Sequence, residues 1–158
     1  MKLLTVLLFV FFFTSNANAC SLNKGYEPFR MSSSYQSTSI PKMTNASVIS
    51  VERGFDDGNG GSCSDAGIIR VKIHDENPIN RTGYKFRVLD SEIFSTVFPS
   101  EPVIASVLNR SENEFVFVWY DLGETHNQEM KFTLEITAVS YFGNESEPFQ
   151  LLIQQASK

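Results

Sequence analysis

From position 41 onward the chain is written in short apolar runs bounded by Gly, Pro, Asn, Asp or Ser, and most runs alternate apolar with polar residues. Ile69, Val71 and Ile73 alternate with Arg70, Lys72 and His74, which predicts a strand over Gly67–His74 with its aliphatic face inward and its charges in water. Thr82–Leu89 repeats the scheme, with Tyr84, Phe86 and Val88 set against Lys85 and Arg87. Lys131–Val139 does so through Phe132, Leu134, Ile136 and Ala138, and Phe149–Gln154 through Phe149, Leu151 and Ile153. A first strand is expected over Ala46–Arg53 with Ile49 and Val51 on one face. Ile93–Phe98 and Val103–Leu108 are short and flanked by Pro99 and Pro102, the marks of edge strands. Glu114–Tyr120 is apolar on both faces and reads as a central strand.

No window sustains a 3.6-residue repeat, so the expected fold class is all-β, a sandwich of two sheets with about seven strands. Upstream the pattern differs. Residues 20–44 carry Ser, Thr and Tyr without periodicity and are expected to form an N-terminal tail or linker. Met1 and Lys2, then the apolar Leu3–Phe13 interrupted only by Thr5, then Ala17 and Ala19 at the positions a signal peptidase reads, predict a signal peptide over residues 1–19. That apolar run is shorter than the roughly 20 residues a membrane-spanning helix needs, and no transmembrane segment is expected. The expected organisation is therefore 1–19 signal peptide, 20–44 tail and 45–158 sandwich, a single domain.

Charge narrows the function. Cleavage after Ala19 removes Lys2 and leaves 12 basic residues against 18 acidic ones, too acidic a chain to neutralise phosphates, so no nucleic-acid partner is expected. The two cysteines, Cys20 and Cys63, lack the paired spacing of a zinc or iron–sulfur site. In an oxidising compartment they are expected to form a disulfide, whose long loop removes roughly 4 kcal/mol of unfolded-state entropy. The alternative is lipidation of Cys20 as the first mature residue, which makes the protein a lipoprotein and leaves Cys63 a thiol.

The closing segment, Phe132 to Phe149, resembles the last hairpin of fibronectin type III and related immunoglobulin-like modules. The resemblance lies in an alternating strand ending in Ala138-Val139, the Gly143-Asn144 turn and the Ser146-Glu147-Pro148 entry into the final strand. Trp119 departs from it, because those modules usually carry their core tryptophan in an earlier strand. The resemblance implies a binding or spacer module.

Candidate chemistry is sparse. In the Asp56–Asp65 loop the oxygens of Asp56, Asp57, Asn59 and Asp65 could meet a hard cation such as Ca2+, although the twelve-residue helix-loop-helix spacing is absent. The competing reading is a flexible loop of turn-formers tied down at Cys63. His74 and His126 read as solvated residues, and the order of Cys63, His74 and Met130 does not match a sandwich copper site. Asn45, Asn80, Asn109 and Asn144 begin Asn-x-Ser/Thr triplets, which carry sugar only in a glycosylating host. The expectation is an exported, periplasmic or extracellular bacterial module, not an enzyme and without a required cofactor, that binds an unknown protein or carbohydrate through loops or an edge strand. A lipid-anchored structural spacer and a calcium-dependent interaction domain are the alternatives.

Overall fold

The computed structural model describes residues 22–32, 39–121 and 129–155. Its strands are β1 (Tyr26–Pro28), β2 (Ala46–Glu52), β3 (Ala66–Ile73), β4 (Thr82–Val88), β5 (Val103–Ala105), β6 (Glu114–Tyr120), β7 (Met130–Ser140) and β8 (Phe149–Gln155). They form two antiparallel sheets, one ordered β2-β3-β6 and the other β1-β5-β4-β7-β8. The all-β sandwich expected from the apolar alternation is what forms.

The alternation also chose the correct faces in most strands. Ile69 and Val71 of β3 and Phe132, Leu134 and Ile136 of β7 are each 0% exposed; Phe115 and Phe117 of β6 join Ile69 and Val71 on the inner face of one sheet, opposite the β7 residues of the other. Aromatic rings fill the space between the sheets: Phe117 lies 4.9 Å from Phe86 and 4.6 Å from Phe98, centroid to centroid. Such pairs add about 0.5–1.5 kcal/mol each beyond the area they bury.

Four expectations are corrected. Ile93–Phe98 is not a strand. Glu92–Ser95 is a helical turn, α1, and it directs Phe94, Val97 and Phe98 into the core at helical spacing while Ile93 stays exposed. A short apolar run fits either period. Ile49 does not share an inward face with Val51, because a register shift between Val48 and Ser50 turns it out to solvent. The third correction is β6, which lies at the edge of its sheet rather than at the centre; β3 is the central strand.

The fourth explains the third. Residues 20–44 are not simply a tail, since β1 pairs with β5 and the residues around it stitch the sheets together. Gly25 donates its amide to Val116 of β6 at 3.0 Å and accepts from Ser106 at 3.0 Å. Phe29 donates to Pro102 and Ser32 to Tyr141. Tyr26 places its ring 5.4 Å from that of Phe117, and Phe29 covers Gly83 so closely that a Cβ there would lie 2.3 Å from the ring. This N-terminal segment covers β6 at Val116, which is why that strand reads as apolar on both faces. Residues 1–19, where a signal peptide is expected, and Cys20 lie outside the described residues.

Candidate functional site

Two regions bring chemistry-bearing side chains together. The first is the loop from β2 to β3. Gly58 and Gly61 both take φ of +83°, which only glycine adopts without strain, and they fold the loop back on itself. Asp65 is 1% exposed, and its Oδ2 accepts the amides of Gly61 at 2.7 Å and Ser62 at 3.1 Å. Its Oδ1 is buried with no hydrogen-bond partner. Asp57 is exposed; its Oδ1 accepts the Asn59 amide at 2.9 Å and its Oδ2 the hydroxyls of Ser64 at 2.6 Å and Ser62 at 3.2 Å. The two serine hydroxyls also bond to each other. The Ser64 hydroxyl first, then the Asn59 amide, holds the Asp57 carboxyl below its ordinary range, so it is ionised at neutral pH. Asp56 accepts from Gly58 at 2.8 Å.

One carboxylate oxygen each from Asp56, Asp57 and Asp65 lies within 4.8 Å of the others. Three of the four cation ligands expected from the sequence thus converge, while Asn59 enters the cluster through its backbone amide. The loop is rooted by Arg53, whose Nε donates to Asp121 Oδ2 at 2.6 Å in a nearly dry setting, with the Gly54 amide on the same oxygen at 3.1 Å. Cys63 lies in this loop and is not a free thiol. Its expected partner Cys20 lies outside the described residues, as does His126. His74 bonds Ser47 through Nε2 at 2.8 Å on the surface.

The second region is an open groove of about 620 Å3 running beside β1, lined by Glu27, Phe29, Arg30, Asn80, Arg110 and Tyr141 among others. Arg110 holds Glu27 at 3.2 Å and also donates to the Ala105 carbonyl, while Glu27 accepts the Val107 amide, so that wall is set. Tyr141 is fixed by backbone bonds on both sides: its amide donates to Arg81 and its carbonyl accepts from Ser32. The residue is 37% exposed, and its ring stands edge-on to Phe142 at 5.4 Å. Sequence reading missed this groove because β1 and the β7–β8 turn are far apart in the chain. The available signal was the pair of aromatics, Tyr26 and Phe29, inside an otherwise polar segment.

No protein-family model, curated protein or solved structure matches this chain.

Proposed function

We propose that the chain is an exported, non-catalytic binding module of fibronectin type III-like build, and that it holds a carbohydrate in the groove beside β1. The composition of that groove carries the reading: an exposed aromatic ring, Tyr141, flanked by the planar polar groups of Arg30, Asn80 and Arg110. The apolar C–H face of a sugar ring packs on an aromatic, and its hydroxyls take hydrogen bonds from amide and guanidinium groups. Glu27 and Arg110 are already engaged with each other, which fixes donors in place before a ligand arrives.

The sheet order supports the fibronectin-like part. Among β2 to β8, the first, second and fifth strands share one sheet, and the fourth, β5, pairs with β4 in the other. The immunoglobulin constant arrangement keeps that fourth strand beside the fifth instead. Export is supported by the leader pattern of residues 1–19 and by the engaged state of Cys63.

A glycan array probed with the wild-type protein and with Tyr141→Ala tests the function. Retention of a defined set of oligosaccharides that Tyr141→Ala loses, with both proteins folded by circular dichroism, is expected. A blank array from folded wild type contradicts the carbohydrate reading and favours a protein partner.

A further inference from the structure

We infer that Asp56, Asp57 and Asp65 form a calcium site. Two independent observations carry it. One is convergence, three carboxylate oxygens within 4.8 Å of one another. Three oxygens at that spacing lie at most about 2.8 Å from a common centre, so a slight closing of the loop brings all three to the 2.3–2.6 Å at which oxygens sit on Ca2+. The other is Asp65 itself, 1% exposed, inside the cluster, with Oδ1 lacking any donor. A buried carboxylate oxygen left without a partner is costly, and a cation beside it removes that cost.

Charge points the same way. From Gly54 to Asp65 the sequence holds three aspartates and no Lys, Arg or His, and the guanidinium nearest in sequence, Arg53, is engaged with Asp121. The donors are all hard oxygens, which suits calcium rather than a softer metal. The Ser62 and Ser64 hydroxyls and the Asn59 side chain, within the same loop, supply neutral oxygens to extend the coordination, with water completing the six to eight that calcium takes. An ion here ties the acidic loop to the start of β3 and does not depend on the groove beside β1.

Calorimetry and thermal unfolding of the full mature chain, titrated with CaCl2 after EDTA treatment, test the site. Asp65 also accepts two backbone amides, so the variant of choice is Asp56→Asn with Asp57→Asn, both exposed and outside the core. Wild type is expected to bind one equivalent with half-saturation on the order of 0.1–1 mM, as extracellular modules do, and to melt about 5 °C higher in about 10 mM CaCl2 than in EDTA. The double variant, folded by circular dichroism, is expected to lose both responses. Absence of saturable heat and of a melting shift in folded wild type overturns the proposal. So does a double variant that binds as wild type does, or an equal response to MgCl2, which overturns the choice of calcium.

Discussion

Replacing Gly25 with alanine is the sharpest probe of how the N-terminal segment closes the sandwich. A Cβ at this position would lie 2.5 Å from the Val116 Cβ and 2.6 Å from the Val116 backbone nitrogen. The second clash is with the backbone of a sheet strand, so rotamer change alone cannot relieve it. Overpacking of this kind costs about 1–3 kcal/mol. The segment joins the domain through one three-residue strand and a few hydrogen bonds, so it releases before the rest unfolds. At 1.36 kcal/mol per factor of ten, its opening constant rises by about 5- to 150-fold. Hydrogen exchange reads this residue by residue. The amides of Phe29, Ser32 and Ser106, bonded to Pro102, Tyr141 and Gly25, should exchange faster by that factor. Val71 and Ile136, deep in the β3–β6 and β4–β7 ladders, should not change. Uniform acceleration everywhere would show that β1 belongs to the cooperative core. No acceleration at Ser106 would show that the contact with Val116 yields easily, and either outcome would contradict local release of the segment.

Three further outcomes follow from particular contacts. Gly67 lies under the Trp119 ring, where an added Cβ would sit 2.2 Å from the indole, so Gly67→Ala should lower the urea midpoint by the equivalent of about 1–3 kcal/mol, and adding Trp119→Leu should recover most of it. Burial, reinforced by the Asp75 carboxylate and opposed by the Asn113 amide, raises the Tyr84 hydroxyl well above its ordinary 10.0. The unfolded phenol then ionises first, so the stability it contributes is complete below pH 10 and is lost as pH rises beyond that; alkaline urea unfolding should show this loss in wild type and less of it in Tyr84→Phe. Intact mass of the secreted chain should begin at Cys20 and fall about 2 Da below the reduced value, whereas an added diacylglycerol mass would establish the lipoprotein instead.

Much of the fold could be read from the sequence because its strands expose one face and bury the other. β3 alternates strictly between buried and half-buried residues, and β4 and β7 do so over most of their length, departing at Gly83 and Val139, which are buried although they point outward, and at Val88, which is only half-buried. Reading failed where that one-dimensional code lacks the deciding information. The apolar residues around Phe94 fit both a strand and a helical turn, and the choice was made by what α1 packs against. The bulge at Ile49 is invisible until β2 is paired with β3. β1 was obscured because three residues are too few to show a period, and its partners Val103 to Ala105 lie some 77 positions away, as Tyr26 opposite Ala105 or Pro28 opposite Val103 makes plain. The acidic loop was the legible part of the candidate chemistry, since its aspartates are close in sequence. The groove was not, being assembled from β1, the loop before β4 and the β7–β8 turn.

In the proposed function, docking of the N-terminal segment builds a carbohydrate-binding groove. Backbone 1H–15N NMR of the labelled protein, titrated with the oligosaccharide retained most strongly on the array, tests it most directly. Saturable shifts concentrated at Glu27, Arg30, Asn80, Arg110 and Tyr141 are expected, with weakened binding in Gly25→Ala. Shifts mapping to the β2 and β8 edges instead, or undiminished affinity in a Gly25→Ala protein whose β1 has been shown to open, would contradict it.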